Sequence, residues 1–193
     1  MDLLQHLRSY IPQNEQEKCD QLLMLQYLQN NPLCLLRSDK TAHFTASIWT
    51  VNRTRDKALM VYHNIYDSWS WIGGHADGEE DLANVALREL SEETGLQQAH
   101  LVSPEIFSLE ILTVNGHEKS GQYVPCHLHY NVTYLTFADE TAPLKANPAE
   151  NKAVQWMTFE QVLQESTEPW MVQRIYKKLI HRCKQSTNEK SSL

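Results

Sequence analysis

Between Gly74 and Leu96 the chain reads GHADGEEDLANVALRELSEETGL, and this stretch constrains the fold more than any other. A helix is predicted over Glu79 to Glu93, with Gly95 where a left-handed C-terminal cap belongs. At about 100° per residue, with Glu89 taken as zero, Glu92 falls at about −60° and Glu93 at about +40°. The three carboxylates therefore share an arc of about 100°. Ala83, Ala86, Leu87 and Leu90 cover the neighbouring arc, an apolar stripe that must be buried against another element. One face of the helix belongs to a core, and the face beside it carries three acids within a turn.

Three clustered carboxylates repel one another, and like charges at i,i+4 cost a helix a few tenths of a kcal/mol, roughly. Glu92 and Glu93 also stand near the C-terminal end, where the helix dipole disfavours negative charge. A bound Mg²⁺ or Mn²⁺ reverses the sign of both effects, because hard cations take oxygen ligands and share them with substrate phosphates. Arg88, four residues before Glu92, offsets part of the charge or orients a carboxylate. Gly73-Gly74 lets the backbone approach a metal or a phosphate, and the Gly74 carbonyl is a further candidate ligand. Most acidic helices are only solvated faces. The spacing of this one decides against that reading.

The segment resembles the Nudix box, G-x5-E-x7-R-E-U-x-E-E-x-G-U with U a bulky aliphatic residue. Gly74, Glu80, Arg88, Glu89, Leu90, Glu92, Glu93, Gly95 and Leu96 fill every fixed position. The resemblance implies an α/β/α sandwich with a mixed sheet, the box forming a loop, a helix and a second loop. It implies that Glu89, Glu92 and Glu93 bind Mg²⁺ or Mn²⁺, with the Gly74 carbonyl as an added ligand. Arg88, Glu80 and Gly95 become structural, Arg88 and Glu80 pairing to hold the loop on the helix. The implied reaction is attack of water on a phosphorus of a nucleoside diphosphate derivative: a nucleotide, nucleotide sugar or dinucleotide. The general base varies across such proteins, so Glu92 and Glu89 are candidate catalytic residues. So is Glu150, in the loop NPAENK before the strand VQWM, placed like a late-loop acid.

The rest of the chain fits layers of sheet and helix. Residues 2–10 are read as a short helix. Residues 15–29 form a longer one, with Asn14 as N-cap, Glu17 three positions on, and apolar positions at Cys19, Leu22, Leu23, Leu25 and Leu28 that make no clean stripe. The first forty residues are thus a helical extension. His43–Val51 and Lys57–His63 are read as a hairpin, followed by an extended piece over Ser68–Ile72. Strands are expected at 105–115, 124–138 and 154–157, and a polar loop containing Gly116 and Gly121 joins the first two of these. Thr158 with Gln161 gives a capping-box signature, and Pro169 starts a last helix to about Arg182. The expected organisation is one α/β domain with a core over 43–183 and a disordered tail over 184–193.

The chain has 193 residues, enough to bury about 70% of its unfolded surface without disulfides. A net charge of −7 argues against a nucleic acid polymer, whose backbone is held by clustered Lys and Arg. A small phosphorylated substrate stays allowed, because a metal ion can supply the missing positive charge. Cys19, Cys34, Cys126 and Cys183 form no CxxC pair and read as reduced thiols of a cytoplasmic protein. No signal peptide or transmembrane run is expected, so no membrane partner is either. The N-terminal helices would cover the cleft or build a homodimer.

His127 and His129 alternate on a strand and share one face. Such a pair can bind zinc, but no third ligand at a recognisable spacing accompanies it, so substrate contact or burial is the plainer reading. His75 and Trp71 are further candidate substrate contacts, alongside aromatic residues such as Trp49, Tyr62, Trp69 and Trp156 that more often belong to a core. No further motif marks an NADH or coenzyme A pyrophosphatase. Two rivals keep the scaffold and change the activity. An isomerase like isopentenyl diphosphate isomerase would need a cleft cysteine, for which Cys126 is the candidate. A nucleotide sensor without turnover would bind and not cut, but such proteins usually have a damaged box.

Overall fold

The computed structural model describes residues 2–119 and 121–188. It divides into two compact units, one built from residues up to Ser47, Gly73–Ala86 and Ser103–Tyr134, the other from Ile48–Ile72, Leu87–Val102 and the residues from Leu135 on.

The first unit opens with α1 (Leu3–Ser9) and α2 (Glu15–Asn30). Both start where a side chain caps them: Asp2 accepts from Gln5 N, and Asn14 accepts from Glu17 N. The apolar positions of α2 make no clean stripe, as the sequence suggests: Cys19, Leu22 and Leu23 are exposed. The helix docks mainly by polar groups and by Met24. Gln16 donates to the carbonyl of Leu109 at 3.3 Å, and Asp20 accepts from Ile111 N at 3.0 Å. Both atoms belong to strand β6 (Ser108–Val114), which pairs with β9 (His127–Phe137) on its other side. An open strand edge invites foreign pairing, and α2 closes this one with side chains.

Strand β1 (Ala42–Val51) contributes its first half to this unit and pairs with β4 (Ile72–His75) and β9. The β4 approach requires glycine at Gly73, where a Cβ would stand 2.5 Å from the carbonyl oxygen of Ala46. The face shared by β1, β6 and β9 is polar and buried. Asn131 accepts from Thr45 (2.9 Å) and Ser47 (3.0 Å), and donates to the buried Glu110 at 3.2 Å. The loop expected around Gly116 and Gly121 forms a small ribbon, β7 (His117–Lys119) against β8 (Gln122–Val124).

In the second unit the strand order is β10-β2-β1-β9-β5, with β2 at Lys57–His63, β5 at His100–Leu101 and β10 at Asn151–Thr158; β3 (Ser68–Ser70) pairs with β2. The β1–β2 hairpin turns on Asn52, whose side-chain oxygen accepts from the backbone of Asp56 and Lys57. Trp49 is fully buried and stacks on Phe159 and Tyr176. The Thr158–Gln161 capping box forms as read and starts α4 (Phe159–Glu165). The helix from Pro169 passes through a π-helical stretch, Met171–Tyr176, into α5 (Lys177–Asn188). It thus runs six residues beyond Arg182 and into the segment expected to be a disordered tail, of which residues 189–193 lie outside the described residues. No helix among the described residues is long and apolar enough to cross a membrane.

Candidate active site

The acidic helix, α3, spans Leu82–Thr94, three residues shorter at its start than the sequence suggested. Asp81 sets that start: its Oδ1 accepts from the backbone of Ala83 and Asn84, both at 3.1 Å, satisfying amides that no helical carbonyl can reach. Glu79 and Glu80 therefore belong to the loop before the helix, and Glu80, expected to pair with Arg88, is exposed there. The buried positions are Leu82, Val85, Ala86, Leu90, Glu93 and Thr94. Ala83 and Leu87 are only half-buried, so the core face is rotated slightly from the one read off the sequence.

At the C-terminal end, Gly95 has φ of 76° and accommodates the left-handed cap. The last carbonyls of α3 are taken up by the following loop. Lys145 N donates to the carbonyl of Thr94 at 2.8 Å, and Asn151 Nδ2 donates to that of Glu93 at 3.1 Å. The same Asn151 side chain accepts from Asn147 N, and Asn147 O accepts from the amides of Glu150 and Asn151. This tight turn carries Glu150 to the helix.

As a result one carboxylate oxygen from each of Glu89, Glu93 and Glu150 lies within 4.8 Å of the others. Glu93 is 3% exposed, Glu89 is half-buried and Glu150 faces solvent. Burial raises the Glu89 carboxyl above its ordinary value; Arg88 opposes this, and the charges of Glu92 and Glu150 add to it. Arg88 stands 3.2 Å from Glu89 and 3.9 Å from Glu92. Glu92 points outward, its side chain 57% exposed, and is not one of the gathered trio. Three hard oxygen donors around one point, one of them almost fully buried, suit a hard divalent cation.

A family model described as the NUDIX domain matches residues 41–182. The chain belongs to the Nudix family. It is accordingly an enzyme of the pyrophosphohydrolase type. No curated protein sequence matches it significantly. Among solved structures it is similar to a C. elegans Ap4A hydrolase (TM-score 0.52, 15% identity, 76% of this chain and 98% of that one). It is also similar to a NUDIX-family hydrolase from Clostridium perfringens (0.50, 19%, 75% and 97%). A third is the E. coli dihydroneopterin triphosphate pyrophosphohydrolase (0.54, 11%, 72% and 94%). At these identities the likeness establishes the Nudix fold, a mixed sheet with helices, which the chain shares.

Within the Nudix box, Gly74 sits on β4 in the first unit. His75, beside it, joins His127 and His129 in a cluster of imidazoles that also includes His43. Trp71 is buried edge-on to Tyr176, 6.1 Å between ring centroids. Cys126, the isomerase candidate, is exposed in the first unit and accepts a hydrogen bond from Gly116 N. Two residues escaped the sequence reading. Asn151 carries no motif of its own, although its place directly after Glu150 was a signal. His43 was visible only as one more residue of a strand.

Proposed function

We propose that this Nudix enzyme hydrolyses the diphosphate linkage of a nucleoside diphosphate derivative with Mg²⁺ or Mn²⁺ held by Glu89, Glu93 and Glu150. The convergence of these three carboxylates from a helix and a distant loop carries the reading. Such a cation, when bound, polarises phosphoryl oxygens and acidifies coordinated water. The chain's own residues do the rest. Glu89 and Glu93 hold fixed positions because the helix is anchored at both ends, by Asp81 and by Asn151. Arg88 holds Glu89 in place and neutralises part of the charge facing the substrate phosphates. The proton of the attacking water goes to one of the two solvent-open carboxylates, Glu92 or Glu150. Water adds to phosphorus, the anhydride P–O bond breaks, and the leaving phosphate carries the displaced charge. Relatives of this fold named for Ap4A, UDP-X and dihydroneopterin triphosphate support a substrate of the phosphoanhydride class.

The test is a panel of nucleotides, nucleotide sugars and dinucleotides assayed with MgCl₂ or MnCl₂ against Glu93→Gln. Metal-stimulated release of a monophosphate product by the natural protein, reduced at least about a hundredfold in the variant, is expected. Equal turnover in both would remove Glu93 from the reaction. The pH–rate profiles of Glu92→Gln and Glu150→Gln then identify the base, whose loss abolishes the acidic limb.

A further inference from the structure

Four histidines of the first unit meet at one place: His43 on β1, His75 on β4, and His127 and His129 on β9. β1 lies between β4 and β9 in the pairing, so three adjacent strands each present imidazole to the same neighbourhood. The centroid of His43 is 5.0 Å from those of His75, His127 and His129. One ring nitrogen from each of His43, His75 and His129 lies within 4.8 Å of the others. No residue of the acidic trio belongs to this unit.

The hydrogen bonds fix which nitrogens are free. His43 Nδ1 is 3.1 Å from the carbonyl of Asp39 and must donate to it. Its Nε2 then carries a lone pair, and that atom is buried with no hydrogen-bond partner among the described residues. His127 Nδ1 likewise donates to the carbonyl of Pro125 at 2.8 Å, leaving a lone pair on Nε2. His129 Nε2 lies 3.1 Å from that lone pair, so it donates and leaves its own Nδ1 as an acceptor. Lone pairs on neighbouring buried rings repel, and a buried ring nitrogen without a partner is destabilising. Carbonyl-oriented histidines are the usual outer arrangement of a metal site, where the backbone bond fixes the ring and its tautomer. Burial first, then the charge of the neighbouring rings, holds His75 down to about 3 and lowers His43 and His129 as well.

We infer that His43, His75 and His129 form a second metal site, separate from the acidic trio, that takes a first-row transition-metal dication such as Zn²⁺, with His127 orienting His129. Imidazole nitrogen suits zinc, copper, nickel and iron, whereas Mg²⁺ prefers oxygen, so the two sites sort different ions. A cation there would tie together the three strands that carry the histidines.

The experiment is calorimetric titration of ZnCl₂ into the chelator-treated full chain, the acid site being disabled by Glu89→Gln with Glu93→Gln. One equivalent of Zn²⁺ is expected to bind this variant. His75→Gln with His129→Gln, confirmed as folded by circular dichroism, should weaken that binding more than about tenfold. Imidazole ¹⁵N spectra report independently: Zn²⁺ should shift the ring nitrogens of His43, His75 and His129, while Mg²⁺ should leave them unmoved. Zinc uptake that survives the loss of His75 and His129, or ring nitrogens unmoved by saturating Zn²⁺, overturns the proposal. Either result leaves the proposal for the acidic site standing.

Discussion

Asn151 donates through Nδ2 to the main-chain carbonyl of Glu93 at 3.1 Å, across 58 positions of sequence. The bond does two things at once. It satisfies a carbonyl at the end of α3 that has no helical partner, and it fixes the turn that carries Glu150. Asn151 is fully buried, and Asn147 N donates to its oxygen.

Asn151→Ala therefore removes two buried hydrogen bonds and should cost about 1–3 kcal/mol, read as a lower midpoint in urea unfolding. Because Glu150 loses its placement, metal-stimulated turnover should fall by more than the folded fraction explains. Asn151→Asp keeps the acceptor but sets a carboxylate against the Glu93 carbonyl, and it should behave no better. An alanine variant with natural stability and turnover would show that the loop is held by other means.

Gly95 has φ of 76°, and a Cβ added there would stand 3.1 Å from Lys145 Cβ and 3.3 Å from its backbone nitrogen. Both the backbone conformation and the space oppose a side chain. Gly95→Ala should cost about 1 kcal/mol or more, measured by chemical denaturation. Gly95→Asn, which tolerates the left-handed region better, should lose less.

Local signals were legible and distant ones were not. Asn14, Thr158 with Gln161, and Gly95 act within a few residues of themselves, and each does in the structure what its position in the sequence indicates. The start of α3 was misplaced because Glu79 and Glu80 suit a helix as well as a loop, and only the hydrogen bonds of Asp81 break the tie. Helix α2 was legible in its bounds and cap but not in its docking, because it serves a strand edge with Gln16 and Asp20, and a polar docking face leaves no clean apolar stripe. Glu150 entered only through the family resemblance. Its neighbour Asn151 acts on a backbone atom, which no side-chain pattern announces. His43 lies 84 positions before His127, and strand pairing alone brings them together.

Glu168 is partly buried, and burial raises its carboxyl above the ordinary value of 4.5. A raised carboxyl means that folding favours the protonated form. Its contribution is complete below pH 4.5 and is lost as pH rises from there through the folded value. Glu168→Gln should therefore raise the thermal midpoint at neutral pH and leave it unchanged at pH 4. Midpoints measured across that range, natural protein against variant, check the sign. A variant less stable at neutral pH would mean that the carboxylate is engaged by a favourable partner.

The role proposed for the acidic trio sets stability against function, and the conflict can be measured. Without a cation, Glu150 is one of the charges that disfavour ionised Glu89. In EDTA, Glu150→Gln should thus be at least as stable as the natural protein. A ligand that binds only the folded state stabilises it by RT ln(1 + [L]/Kd), about 2.7 kcal/mol at a hundred times Kd. Millimolar MgCl₂ should therefore raise the midpoint of the natural protein more than that of Glu150→Gln and reverse their order. Turnover should follow the same division: high in the natural protein with MgCl₂, absent in EDTA, and low in the variant under either condition. If MgCl₂ stabilises both proteins equally, Glu150 takes no part in holding the ion.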